Sequence, residues 1–229
     1  MNSPSKLTNT AILLVHGFAG TPHELEYLEK RLTLEGYPVF APTLPGHGIS
    51  KKALAKTNPK MWLEFIQNEL NKLTQTFDNV IVIGFSLGGL LSTHLASSPK
   101  ISKLIFINTP IWVFNIPIIL GDILIPKKNW LAYIKRYKSS ASKAGPKSLL
   151  HFWRFMHAAR PNFAQIKTPA LIIQSSQDET ARPKSGLFIN NSIPNSKLVK
   201  IDGTRHQIFS HSDALSDEVC GHILEFINS

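Results

Sequence analysis

The stretch Val82-Ile83-Gly84-Phe85-Ser86-Leu87-Gly88-Gly89-Leu90-Leu91 changes character in its middle. An apolar run, residues 80–83, stops at Gly84. A serine stands two positions on, Gly88 comes two positions later, and the sequence then becomes helix-compatible. The apolar run reads as a strand covered on both faces. A sharp strand-to-helix turn accounts for the rest. Such a turn forces strained backbone angles on its central residue, and side chains two positions away on either side would collide. Gly84 and Gly88 avoid that collision, and Gly89 lets the new helix lie close to its neighbours. The Ser86 hydroxyl is then held at the tip, facing the positive end of the helix. Taken alone, Gly-x-Ser-x-Gly is explained as well by a capping serine in a tight turn. The strand before it, the helix after it and Gly89 favour a nucleophile.

Outward from this turn, short apolar runs alternate with amphipathic stretches. Residues 11–15, 38–41, 80–83, 104–107, 170–174 and 198–201 read as strands, nearly continuous in apolar residues. Thr21-Pro22-His23-Glu24 has the form of a capping box with proline in the first turn, and Leu25, Leu28 and Leu32 recur on one face, up to Gly36. Asn58-Pro59 opens a second helix with Trp62, Phe65, Ile66 and Leu73 inward. A third helix spans about 86–97, a fourth begins near Pro183, and the last turns Leu215, Val219, Ile223 and Phe226 or Ile227 inward. Strand–helix alternation of this kind predicts an α/β fold: a mostly parallel sheet with right-handed crossovers and helices on both faces. The chain of 229 residues reads as a single domain, 1–229. Residues 110–165 interrupt the rhythm. They are basic, aromatic and helix-compatible, and read as a helical insertion over one end of the sheet.

A serine needs a base, and the base needs an orienting carboxylate. The strand at 170–174 runs into Ser175-Ser176-Gln177-Asp178-Glu179, and the strand at 198–201 into Asp202-Gly203-Thr204-Arg205-His206. In a parallel sheet these strand ends share an edge with the Ser86 turn. Ser86, Asp178 and His206 are therefore the candidate catalytic residues. Glu179 is the alternative acid, Asp202 lies too near its strand, and His211 and His222 read as surface histidines of the last helix. An oxyanion also needs donors. The N–H of Leu87 is one candidate. The N–H of Phe18, in the glycine-bearing loop His16-Gly17-Phe18-Ala19-Gly20, is the other. His16 reads as a residue that steadies this loop through hydrogen bonds.

Composition narrows the remaining choices. With 43% hydrophobic and 17% charged residues the chain reads as globular. The single cysteine, Cys220, cannot form an internal disulfide, which suits a reducing compartment. No secretion signal is apparent and a cytoplasmic location is expected. Residues 111–126 imitate a membrane span, but Asn115, Pro117, Gly121, Asp122 and Pro126 interrupt them and they fall short of about 20 apolar residues. The net charge of +10 raises the question of anionic partners. Much of it lies in Lys127, Lys128, Lys135, Arg136, Lys138, Lys143, Lys147, Arg154 and Arg160, and no zinc knuckle, basic zipper or RNA-binding signature accompanies them. No nucleic acid is expected. A solvated helical surface explains these charges, and peripheral contact with anionic lipid is the alternative.

Leu-Leu-Val-His-Gly-Phe-Ala-Gly-Thr (13–21), Ala-Pro-Thr-Leu-Pro-Gly-His-Gly (41–48), Gly-Phe-Ser-Leu-Gly-Gly (84–89) and the Asp178 and His206 loops together resemble the α/β-hydrolases. The sequence is most similar to their small bacterial carboxylesterase and monoacylglycerol-lipase branch. The resemblance implies the triad Ser86, Asp178 and His206, an oxyanion hole at Phe18 and Leu87, and a cap over the acyl pocket at 110–165. It implies a serine esterase acting on small acyl esters of short to medium chain length, with neither cofactor nor metal. An acyl thioesterase and a monoacylglycerol or lysophospholipid lipase are the alternatives, and a hydrolase-fold protein that binds without turnover comes after them. Two features depart from the family: the cap is unusually basic and aromatic, and Arg205 stands before His206 where relatives often carry a small residue. Arg205 could contact an acidic group on the substrate, but is expected to point to solvent.

Overall fold

The computed structural model describes residues 9–114 and 144–229. Six strands form one sheet: β1 (Thr10–Val15), β2 (Val39–Phe40), β3 (Asn79–Phe85), β4 (Ile101–Ile107), β5 (Ala170–Ser175) and β6 (Ser196–Ile201). Their order is β2-β1-β3-β4-β5-β6, and every neighbouring pair is parallel. Parallel neighbours need long crossovers, which helices supply. The helices among the described residues are α1 (Glu26–Leu34), α2 (Lys51–Ala55), α3 (Pro59–Thr76), α4 (Leu87–Leu95), α5 (Pro146–Ala159), α6 (Lys184–Ser192) and α7 (Asp213–Asn228).

Because successive strand side chains point to opposite faces, a strand covered on both faces is apolar throughout. Leu13, Val82, Leu104 and Ile172 share one core with Trp62 and Ile66 of α3, Leu90 of α4 and Phe155 of α5. Their neighbours Ile12, Ile81, Ile105 and Leu171 share the opposite core with Leu28 and Leu32 of α1 and Val219 and Ile223 of α7. Each such side chain taken from water contributes roughly 1.5–3 kcal/mol, so the two cores hold the sheet rigidly beneath the loops at its C-terminal edge.

The strand boundaries differ from the sequence expectation where pairing decides them. β3 runs on to Phe85, because Gly84 and Phe85 pair with Phe106 and Ile107 of β4. β2 is shorter than 38–41. It is an edge strand in register only with Ile12 and Leu13, and Pro38, which has no N–H, contributes its carbonyl to the Ile12 N–H. At α3 the Asn58 side chain accepts from the Met61 N–H at 3.1 Å, as an N-cap should. At α1 the expected capping box does not form. The first turn is a 3-10 helix, Pro22–Leu25, and Thr21 makes no side-chain capping bond. The Glu24 carboxylate turns away to distant partners instead.

Of the stretch 110–165, residues 115–143 lie outside the described residues. On their N-terminal side the chain leaves the sheet edge: Val113 bridges Ala181, and the Phe114 N–H donates to the Thr180 carbonyl. On their C-terminal side come α5 and a 3-10 helix, Arg160–Gln165. Arg160, counted with the basic surface on sequence, is turned inward. Its guanidinium lies 4.9 Å from the Trp112 ring centroid and 5.8 Å from that of Phe188, and it donates to the Ile111 carbonyl at 2.9 Å. Among the described residues no helix is long and apolar enough to cross a membrane.

The glycines of the turn are required by close approach. A Cβ on Gly88 would lie 2.0 Å from the Val15 carbonyl oxygen, and one on Gly84 would lie 2.4 Å from the Gly89 nitrogen. Both obstacles are backbone, which cannot swing aside. Gly88→Ala should therefore destabilise the fold by about 2 kcal/mol or more, read as a lower urea midpoint at unchanged slope. An unchanged midpoint would show that β1 and α4 can separate freely.

Candidate active site

The four loops that matter leave the same edge of the sheet, at the C-terminal ends of β1, β3, β5 and β6. Ser86 comes directly after β3 with φ 51° and ψ −112°, a conformation that few residues other than glycine adopt. Its N–H donates to the Ile107 carbonyl at 2.9 Å, and the residue is 4% exposed. Steric confinement by β4 and the two glycines holds the strain in place.

The Ser86 Oγ lies 3.1 Å from His206 Nε2, and His206 Nδ1 lies 2.8 Å from Asp178 Oδ2. Asp178 is fully buried. Its other oxygen, Oδ1, accepts from the backbone N–H groups of Thr180 at 2.8 Å and Ala181 at 2.7 Å. Donors converge on both carboxylate oxygens, so the imidazole proton sits on Nδ1 and Nε2 is left to accept from the Ser86 hydroxyl. Glu179, the alternative acid, faces a different group: its Oε2 accepts from the His206 backbone N–H at 3.3 Å. Asp202 is exposed at the start of the loop. His222 is a surface histidine beside Glu225, as expected. His211 is not. It is partly buried, and its Nε2 accepts from the Arg205 N–H at 3.2 Å, which braces the His206 loop. Arg205 itself is partly buried rather than directed freely into solvent.

Burial alone would lower the pKa of His206. The Asp178 charge, its hydrogen bond to Nδ1, and the charges of Glu179 and Glu24 outweigh that cost, and the net shift is upward from 6.5. His16 behaves oppositely. Burial, its largest influence, lowers its pKa to about 4 against an opposing hydrogen bond to the Gly17 carbonyl, with the nearby His47 lowering it further. The neutral ring joins two loops. Nδ1–H donates to the Gly17 carbonyl at 2.8 Å, and Nε2 accepts from the Leu44 N–H at 3.0 Å. His16 therefore steadies the loop, as the sequence suggests.

Phe18 sits in that loop, and Leu87 is the first residue of α4. Among the described residues neither N–H has a hydrogen-bond partner. Phe18 stacks on Phe152 of α5 with centroids 4.9 Å apart, and meets the Trp62 ring edge-on at 6.0 Å.

Sequence reasoning does not single out Asn108, Ser175 or Thr204. Asn108, at φ 44° just past β4, donates to the His206 carbonyl at 2.9 Å and to Ser175 Oγ at 2.9 Å. Ser175 Oγ donates to the Arg205 carbonyl at 2.9 Å and accepts from Thr204 Oγ1 at 2.9 Å. All three are buried, and together they fix the backbone of the His206 loop. The only sequence signal is a polar residue closing the apolar runs of β4 and β5, and Thr204 carries none.

The chain belongs to the α/β-hydrolase family: the family model for the alpha/beta hydrolase fold matches residues 10–131. It is 28% identical over 215 residues to a thermostable monoacylglycerol lipase of Bacillus sp. (strain H-257), covering 85% of this chain and 82% of the relative. It is 23% identical over 191 residues to a carboxylesterase of Bacillus subtilis (strain 168), covering 80% of this chain and 78% of the relative. A solved structure from the metagenome-derived lipolytic enzymes LipS and LipT superposes with a TM-score of 0.78 at 22% identity, over 96% of this chain and 94% of that one. At that identity the likeness is one of fold.

Proposed function

We propose that the protein is a carboxylesterase-like serine hydrolase. It cleaves carboxylic esters of short- to medium-chain acyl groups, monoacylglycerols among them, through an acyl-serine intermediate. The observation that carries this reading is the unbroken hydrogen-bonded chain Ser86 Oγ, His206 Nε2, His206 Nδ1, Asp178 Oδ2. The named activities of the Bacillus relatives point to the same ester chemistry.

Nε2 takes the Ser86 proton as Oγ bonds to the ester carbonyl carbon. The carbonyl oxygen becomes an oxyanion and is received by the N–H groups of Phe18 and Leu87, backed by the positive end of α4. Imidazolium then gives its proton to the leaving alkoxide, and the ester C–O bond breaks. Water repeats the sequence on the acyl-serine, its proton passing to Nε2 and then to Ser86, and the carboxylic acid leaves. Asp178 holds the ring in one tautomer throughout. Residues 110–165 act as a cap. The stacking of Phe152 on Phe18 supports this, since it sets part of that stretch against the oxyanion loop.

The test is hydrolysis of p-nitrophenyl esters from acetate to dodecanoate and of monoacylglycerols. Turnover with an optimum at short to medium chains is expected, and the optimum sizes the acyl site. An enzyme inert on every ester but active on acyl thioesters would contradict the reading. The pH profile gives a second check. Only neutral His206 can accept a proton, so kcat/KM should fall as pH falls through the free-enzyme pKa, with a midpoint above 6.5. A midpoint below 6.5 would mean that burial, not Asp178, governs the ring.

A further inference from the structure

Glu24 is the carboxylate that the capping-box pattern misassigns. Its Oε2 accepts from the Gly17 N–H at 3.0 Å, and its Oε1 accepts from Gln207 Nε2 at 2.7 Å. Gly17 neighbours Phe18 and Gln207 neighbours His206, so one side chain touches the residue next to each of two working groups. Space is kept for it: a Cβ on Gly20 would fall 2.0 Å from Glu24 Oε2.

We propose that Glu24 is a positioning residue, whose carboxylate straps the loop presenting the Phe18 N–H to the loop presenting His206. This rests on the serine hydrolase reading. An oxyanion donor works only within a few tenths of an ångström of its place, and the base must stay in reach of Ser86. The two loops come from opposite sides of β3 in the sheet, β1 on one side and β6 beyond β4 and β5 on the other. Independent motion would spoil both distances at once. Glu24 removes that freedom by using each oxygen for one loop. By engaging the Gly17 N–H it also leaves the next N–H, that of Phe18, for the substrate.

The charge of Glu24 acts on the same ring. The groups facing His206 are Asp178 and Glu179 from the loop after β5, Ser86 from the β3–α4 turn and Glu24 from the turn after β1; Arg205 and Gln207 flank it in its own loop. Phe85 closes the remaining side, with ring centroids 5.1 Å apart. His211 reaches the loop only through the Arg205 N–H.

The experiment compares wild type, Glu24→Ala, Glu24→Gln and Gln207→Ala. It measures kcat and KM on the best p-nitrophenyl ester, the melting temperature, and the His206 ring titration by NMR, which needs no substrate. Glutamine can still accept from Gly17 and, with the Gln207 amide turned over, donate to it, but it carries no charge. Glu24→Ala is expected to lose about 30-fold in kcat with KM changed less than about threefold. Glu24→Gln should recover most of kcat while its His206 pKa falls, because the Glu24 charge that helps raise it is gone. Gln207→Ala cuts the strap from the other end and carries the test if Glu24→Ala does not fold; a kcat loss of about fivefold or more is expected. A kcat within about twofold of wild type in both Glu24→Ala and Gln207→Ala, with only the melting temperature changed, would overturn the strap. If wild type is inert on every ester, the hydrolase reading fails by itself. The ring titration then decides: a lowered His206 pKa in Glu24→Gln supports the contact and an unchanged one overturns it.

Discussion

Ser86→Ala lowers kcat/KM for p-nitrophenyl esters by about 10³-fold or more while leaving the melting temperature near that of wild type. The size comes from what the hydroxyl does and what remains without it. Removing Oγ removes the atom that would bond to the acyl carbon. Water must then attack in place of the serine, though the proposed donors, the N–H groups of Phe18 and Leu87, still receive the carbonyl oxygen. Such donors keep some catalysis over the solution reaction, so the loss is large but finite. Stability should change little. The φ of 51° is imposed by the turn and burdens alanine as it does serine. The one side-chain bond lost is that to Nε2, on a ring still held through Nδ1 by Asp178. Full activity in a folded Ser86→Ala enzyme would place the chemistry elsewhere.

Asp178→Asn is expected to reduce kcat by about 10³- to 10⁴-fold, more than any change at Glu179. The reason lies in the two backbone donors. The N–H groups of Thr180 and Ala181 both point at Oδ1 and will hold the amide oxygen of asparagine there. The amide nitrogen is then left facing His206 Nδ1 and donates to it. That forces the ring proton onto Nε2, where it blocks acceptance from Ser86. The same substitution leaves burial, the largest influence on the ring, opposed only by Glu179 and Glu24, so the His206 pKa falls. Kinetics together with an NMR assignment of the ring tautomer check both parts. Glu179→Gln, which alters a group bonded to the His206 backbone and not to its ring, should cost far less. Equal losses at the two positions would contradict the assignment of the acid.

The hydrogen-bonded set Ser86, His206 and Asp178 is legible as a candidate site because each residue stands just past the end of an apolar run, and parallel strands bring such ends to one edge. Ser86 is marked further by glycines that the turn requires on both sides. Glu24 misleads because its local context, Thr21-Pro22-His23-Glu24, satisfies a helix-start pattern. Its actual partners are Gly17, seven residues back, and Gln207, 183 residues on, and no short-range pattern encodes the second. Asn108 escapes notice for a similar reason: one asparagine after a strand is ordinary, and its meaning comes from Ser175 at the end of β5 and Thr204 in the loop after β6. Charge counting places Arg160 on the surface. Its stacking on Trp112 and Phe188 joins residues from three separate elements, and it leaves no periodic trace in the sequence. Fold and candidate reacting groups are written in periodicity and strand ends. The groups that hold the reacting loops in place are written in tertiary contacts.

An activated Ser86 should be open to covalent labelling. A fluorophosphonate loses fluoride to an activated serine and leaves a stable phosphonate ester, which mass spectrometry of the digested protein can place on one residue. A single label is expected on the peptide holding Ser86, formed faster as pH rises through the His206 pKa, and absent from Ser86→Ala. A folded wild-type protein that takes no label, or takes it on another residue, would contradict an activated Ser86.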